Sequence, residues 1–349
     1  MDWTRSYAAH WRVCAVSRDT WADGEPLPGV DAVTLTRDMT GDAPLVDSGE
    51  VTVTNADVPR GYYRVVMVAE QDGSRERVES RERVELATLE LVRTGGSVDH
   101  GVPTERITAR SVLYPASVYQ LSPGQYAPGG SDGAEYAASL LRLNCVAPVV
   151  VDGEGFALAG NVVPEQGASA LSLAWQVALA GDYIIRPDGH GTIHVMPRPT
   201  VPALELDRAG AALIETKVDY VDGYDNVPNR YRVWGGALYA QATNDDPDSP
   251  TGYPSVGYWT DEADRNPVRR DGETLDAYAV RRLAELSVVR RERTYRRKWW
   301  PDVAPGDLVR GSLPSVRLDG DLRVERQSIA CGAGIVVTER ASMEVSTWT

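Results

Sequence analysis

DNVPNRYRVWGG, residues Asp225 to Gly236, opens the stretch that decides the fold. A Pro/Asp-rich loop follows, then one amphipathic helix, then RRKWWPDVAPGDLVRG (Arg296 to Gly311) and a closing series of strands that runs on to Thr349. Residues of this kind in this order describe a β-barrel with one helix, and they include no arrangement of reactive side chains. The expected role is assembly, with catalysis and nucleic-acid binding as the readings to beat.

Within this stretch Arg230 to Trp234 alternate as a strand, Gly235-Gly236 interrupts it, and Ala237 to Gln241 resume it. A Gly pair inside a strand pattern marks a bulge, a bend or close backbone approach. Asn244 to Pro250 offers many oxygens, as a calcium loop does, yet it lacks the EF-hand glycine and terminal glutamate, and its prolines fix the backbone into a rigid turn. Leu275, Ala279, Leu283 and Leu286 share one face of a helix from Glu273 to about Val288, with Asp271 placed to cap it. RRERTYRRKWW (Arg290 to Trp300) holds six basic residues and one acid. Basic residues interleaved with aromatics are a nucleic-acid footprint, but an extended chain divides the run between two faces and no second basic patch continues it. Arg290, Arg291, Arg293, Arg296, Arg297, Lys298, Trp299 and Trp300 are therefore candidate subunit-interface residues that meet acidic neighbours.

Upstream, SPGQYAPGGSDGAEYA (Ser122 to Ala137) reads as a surface loop. Its spacing fits neither the P-loop nor the dinucleotide fingerprint. Ala168 to Ala180 is a helix with Leu171, Trp175 and Leu179 on one face, stopped by Gly181. DYIIRPDGHGTIHVMPRP (Asp182 to Pro199) then forms a hairpin that presents Ile193 and Val195 to the helix. Helix and hairpin together make a small α+β module. His190 and His194 beside Asp188 read as a solvated hairpin and not as a site. The first region alternates as strands at Trp11/Val13/Ala15, Val33/Leu35 and Val51/Val53. GYYRVVMVAEQDG (Gly61 to Gly73) puts Tyr63, Val65, Met67 and Ala69 on one face. The echo RERVES/RERVEL (Arg75 to Leu86) alternates charge along a solvated hairpin.

The chain has 349 residues and a net charge of −14, with one Phe, Phe156, against 16 Tyr and 9 Trp. Such a length fits two or three domains, and such a charge disfavours non-specific DNA binding while suiting a pore wall past which DNA slides. Tyr and Trp suit interfaces and half-exposed sheet faces, and compositional drift in an Arg-rich genome, to which the two lysines Lys217 and Lys298 also point, is an equal reading of the same bias. Cys14, Cys145 and Cys331 lie far apart, and His10, His100, His190 and His194 have no ligand spacing, so neither a disulfide scaffold nor structural zinc is expected. Catalytic residues, cofactor and metal are all expected to be none. The opening MDWTRSYAAHWRV lacks a leader pattern and no stretch spans a bilayer, so synthesis and folding in a cytoplasm are expected.

YYRVVMVAEQDG with RVELATLEL, the Trp175 helix with the hairpin after it, and DNVPNRYRVWGG through ATNDDPDSP and DAYAVRRLAELS to KWWPDVAPGDLV resemble, in that order, the baseplate hub proteins of long-tailed bacteriophages and prophage tails. The resemblance covers nearly the whole chain. It implies an α+β, mainly β fold: a tube-like β-barrel over residues 1–92, an inserted α+β region over 93–212, and a second tube-like barrel over 213–349. It further implies a homotrimeric hub ring at the distal end of a tail tube in the virion, adapting a threefold tip to a sixfold tube and forming part of the DNA-ejection channel. The implied partners are copies of itself, a tail tube or distal tail protein, a tape measure protein and tail fibre or tip proteins, with DNA only in transit. Cell-wall cleavage in such hubs resides in an appended domain, and with the chain ending at Thr349 none is expected. A carbohydrate-active or cell-wall hydrolase and a monomeric receptor-binding module are the competing readings. Solution mass and turnover of purified cell wall separate them.

Overall fold

The computed structural model describes residues 3, 7–40, 43–74, 77–206, 213–235, 238–265, 273–332 and 335–348, with the side chains of 72–79, 93–94 and 213–216 left aside. Seven strands come first: β1 (Ala8–Val16), β2 (Asp23–Pro26), β3 (Val30–Asp38), β4 (Val46–Thr54), β5 (Gly61–Ser74), β6 (Arg77–Asp99) and β7 (Val102–Ser111). Next are α1 (Tyr114–Val118), α2 (Gly133–Asn144), β8 (Val149–Val151), α3 (Ala170–Ala180), β9 (Tyr183–Pro187), β10 (Ile193–Pro197), β11 (Pro202–Leu206) and β12 (Leu213–Gly223). After them come β13 (Arg230–Gly235), β14 (Leu238–Thr243), α4 (Tyr253–Val256), β15 (Asp261–Asp264), α5 (Leu275–Leu286) and β16 (Val288–Lys298). The last strands are β17 (Leu308–Leu313), β18 (Leu318–Cys331) and β19 (Ile335–Ser346). The fold is mainly β, with five helices and one large, mostly antiparallel sheet among the described residues. None of those helices is long and apolar enough to cross a membrane.

The chain divides into two compact units, residues 1–218 with 295–340, and residues 219–294 with 341–349. Most of the large sheet belongs to the first; its strand order is β12-β16-β19-β18-β3-β4-β7-β6-β5-β1-β2, with β17 joined to β18 and β11 to β17. Strand β3 is bracketed by β4 and by β18, so residues 33–38 are paired with residues 326–331. Alternation sets the register, because a one-residue slip would turn Val33, Leu35, Val51 and Val53 out of the core. The expected face of β5 is buried with them, at Tyr63, Val65, Met67 and Ala69. The opposite face of β5 is buried too, since Tyr62 belongs to a second core made by α2, α3, β9 and β10. A strand buried on both sides sits between two packed layers.

That second layer differs from the sequence expectation in three ways. The loop from Ser122 ends at Asp132, whose carboxylate accepts from the Ala134 and Glu135 amides and starts α2. The Gly/Ser/Asp composition masked an Asp N-cap followed by an alanine-rich helix. Helix α3 begins at Ala170 with Ser169 as its cap. It ends at Gly181 as expected, but the left-handed residue is Asp182. Leu173, Ala174 and Val177 are also buried, so α3 is covered well beyond one face.

The second unit holds the sheet β14-β13-β15, with Tyr231 and Val233 of β13, Ala240 and Ala242 of β14, and Leu275, Tyr278, Ala279 and Leu283 of α5 forming its core. Thr274 caps α5 by accepting from the Ala277 amide; Asp271, the expected cap, lies outside the described residues. The interruption at Gly235 is a reversal of the chain, with Trp234 opposite Tyr239 in an antiparallel pair; Gly236 and Ala237 lie outside the described residues. Asn229, fully buried, holds the neighbouring loops by donating to the Thr251 and Tyr258 carbonyls and accepting from the Thr260 amide. The Asn244 to Pro250 turn is rigid for a similar reason: Asn244 bonds Ser249 and Asp246, and Asp246 accepts from the Asp248 amide.

Candidate assembly surface

Strand β16 carries the basic run, and its alternation distributes the run unevenly. Arg293, Arg297 and Trp299 are buried, Arg290, Arg291, Lys298 and Trp300 are half-buried, and Arg296 is exposed. The strand therefore does not gather the eight candidates on one surface. Arg293 donates to Asp222 at 2.7 Å, and Arg290 sits 3.4 Å from Glu292. Trp299 packs edge-on to Trp3, Tyr7 donates to the Trp299 carbonyl, and Lys298 reaches the Trp3 carbonyl. Burial pushes the Tyr7 phenol up to about 12 against the opposing pull of Arg297.

Arg297 ends in a closed polar cluster. Its guanidinium grips Glu339 through two hydrogen bonds of 2.9 and 2.8 Å, while Tyr295 donates to the same carboxylate at 2.6 Å and Gln327 at 2.8 Å. Burial alone would raise the Glu339 pKa, but the Arg297 charge and these donors hold it below the ordinary carboxylate range. Burial drives the Tyr295 phenol well above its usual value. Because β16 alternates, Tyr295 and Arg297 share one face, and the period-2 series Ile335, Val337, Glu339, Ala341 puts the acid where an apolar residue is due. That misplaced acid was the signal in the sequence for a buried cationic partner.

The outward face of the sheet β14-β13-β15 was not singled out from sequence. Register places Arg230, Arg232 and Trp234 of β13 beside Thr243, Gln241 and Tyr239 of β14 and Asp261 of β15. Asp261 binds both arginines, Arg230 lies over the Trp259 ring, and Trp259 stacks on Tyr253 at 4.3 Å. Trp234 and Tyr239 meet at 5.3 Å. Tyr, Trp and Arg are the residues enriched where proteins meet. The alternation Arg-Tyr-Arg-Val-Trp (230–234) carried this information, since its even members face out.

The other chemistry-bearing groups are tied into the fold. The hairpin turn after β9 is docked on the large sheet, contrary to its reading as solvated: Arg37 donates to the Pro187 carbonyl, Thr88 to the Gly189 carbonyl, and Arg64 and Trp21 to the His190 carbonyl. Arg64 itself is 1% exposed, and a Cβ at Gly189 would collide with the Glu85 carbonyl. His194 lies between Asp152 at 2.6 Å and Asp188 at 3.3 Å. All three cysteines are buried, and burial pushes the Cys331 thiol up to about 12 and the Cys145 thiol up to about 11. A surface cleft of about 350 Å³ between residues 121–126 and 163–167 is lined by Pro123, Tyr126, Val163, Pro164 and Glu165 among others.

No family model matches the chain, and no curated protein matches it. Solved structures do. The tail protein from Neisseria meningitidis MC58 superimposes with a TM-score of 0.65 at 13% identity, over 97% of this chain and 97% of that one. The 43 kDa tail protein of prophage MuSo2 from Shewanella oneidensis gives 0.62 at 13% identity over 95% and 97%, and prophage tail protein gp18 from Listeria monocytogenes EGD-e gives 0.52 at 9% identity over 95% and 94%.

Proposed function

We propose that this chain, which has the fold of prophage tail proteins, is a structural, non-enzymatic tail protein: a homotrimeric hub ring at the distal end of a tail tube. The observation that carries the reading is the length of the match, which takes in nearly all of this chain and nearly all of each tail protein. The net charge of −14 suits a channel that passes DNA without binding it. In this reading two tube-like barrels per chain let three subunits meet a sixfold tube. Its partners are copies of itself, a tail tube or distal tail protein, a tape measure protein and tail fibre or tip proteins, and its place is the virion tail, with assembly in the host cytoplasm.

The residues proposed to make subunit contacts are the exposed side of the β16 run, led by Arg296, and the Tyr/Trp/Arg face of β13 and β14. Analytical ultracentrifugation and negative-stain imaging of the purified chain test the proposal: a mass of three chains and a threefold ring are expected. A monomer at all accessible concentrations would overturn the ring, and turnover of purified cell wall would overturn the non-enzymatic role.

A further inference from the structure

The arrangement around His194 demands a particular protonation state. Nδ1 faces Asp152 Oδ2 at 2.6 Å and Nε2 faces Asp188 Oδ2 at 3.3 Å. An ionised carboxylate only accepts, and a neutral imidazole has only one N–H, so both contacts exist together only when the ring is an imidazolium. The two nitrogens point to different acids, so the three groups do not converge on one ion. We propose that His194 is a proton-operated clamp: its imidazolium ties the loop after β8, through Asp152, to the β9–β10 turn, through Asp188, and loss of its proton loosens the turn that docks the insert on the large sheet.

Asp188 is well placed to transmit this change. Its other oxygen accepts from the Thr192 amide, and its backbone N–H and C=O bond Thr192 and Gly191, so it organises the turn whose Pro187, Gly189 and His190 carbonyls receive Arg37, Thr88, Arg64 and Trp21. The charged surroundings come from several elements. On β9, Arg186 is the cross-strand neighbour of His194 and is drawn away to Asp307 at 2.7 Å. In the turn lies exposed His190, and from the sheet come Arg64 and the Arg37–Asp47 pair. On β8 the register partner is Val150, and the ion pair Arg142–Glu135 of α2 lies on the helix side, where Ile193 and Val195 of β10 are buried.

The Asp188 hydrogen bond, opposed by burial and helped by Asp152, raises the His194 pKa. Asp188, although burial works against it, is held below the usual carboxylate range by His194 and the Thr192 amide. The histidine contribution is therefore complete below about pH 6.5 and is lost as pH rises through the raised value; the Asp188 contribution is complete above about pH 3.9 and is lost as pH falls through the lowered one. The clamp is closed between those limits.

Imidazole nitrogen spectra of the ¹⁵N-labelled full chain test this, with His194 assigned by its loss in His194→Gln. Two protonated ring nitrogens at about pH 6 and a midpoint above about 6.5 are expected, with Asp152→Asn and Asp188→Asn each lowering the midpoint. Hydrogen-exchange protection of the Gly191 amide should fall about fivefold as pH passes the midpoint, the equivalent of one hydrogen bond, and should stay level in His194→Gln. A neutral tautomer at about pH 6, or a midpoint unmoved by both Asn variants, overturns the clamp. Should His194→Gln fail to fold, assignment by elimination with His10→Gln, His100→Gln and His190→Gln leaves the same two outcomes.

Discussion

Replacing Arg297 with Met removes the charge from the Glu339 cluster while keeping most of the side-chain stem. The carboxylate is 0% exposed and, of its four hydrogen bonds from the described residues, loses the two from Arg297 and with them the Arg297 charge. Stranding a buried charge in this way costs about 3–5 kcal/mol, a large part of the roughly 5–15 kcal/mol that holds a domain folded. For a unit of this size the melting temperature should drop by roughly 6–20 °C. The double variant Arg297→Met/Glu339→Gln keeps acceptors for Tyr295 and donors for its surroundings without a naked charge, and should recover about 2 kcal/mol of the loss. Circular-dichroism melts and urea titrations of the three proteins supply the comparison. The pH dependence has a definite sign. In the native chain the lowered Glu339 pKa contributes stability above about pH 4.3 that fades as pH falls through the folded value. In Arg297→Met burial is opposed by just the Tyr295 and Gln327 donors and the folded pKa rises, so the destabilisation grows as pH climbs past about 4.3 and shrinks in acid. A loss below about 1 kcal/mol at pH 7, or a double variant no better than the single one, would refute the reasoning.

Three further outcomes follow from the same structure. Gly189→Ala should cost about 1–3 kcal/mol, because the added methyl meets the Glu85 carbonyl where the turn rests on β6; a melting curve that matches the native one would show that the turn can lift freely. Asn229→Ala should strip the hydrogen bonds of the Thr251 and Tyr258 carbonyls and the Thr260 amide, at about 1–3 kcal/mol for each buried group left unpaired, and exchange at Thr260 should rise ahead of the rest of its unit. The cysteines should resist a thiol reagent at pH 8 while the chain is folded and all react once it is unfolded, since Cys145 and Cys331 combine burial with raised pKa values and Cys14 is buried; prompt labelling of the native chain would contradict their placement.

Much of this was legible in the sequence wherever one side of an element carried the signal. The Leu275/Ala279/Leu283 stripe of α5, the apolar members of β3 and β4, and the single face of β5 are all where alternation puts them. The reading failed where burial comes from both sides. Arg64 stands between Tyr62 and Val66 in an apolar row and looks like a solvent-side residue until a hairpin more than a hundred residues later covers it. On β16 spacing divides the basic run between two faces, as expected, and it takes Glu339 and Asp222, distant in sequence, to make Arg297 and Arg293 interior. Periodicity gives the faces of a strand, and long-range partners decide what covers them.

The pairing of β3 with β18 also bears on how the chain is made. Arg326 meets Asp38 and Cys331 meets Val33, so the two strands are separated by nearly 300 residues of chain. At about 5–20 residues per second a ribosome takes roughly 15–60 s to deliver the second strand after the first. Throughout that interval β3 can pair with β4 on one side while its other edge stays bare, a template for the wrong strand of a neighbouring nascent chain. A chain that stops short of β18 would lack the strand that covers this edge, so closure of this side of β3 waits on residues 318–331.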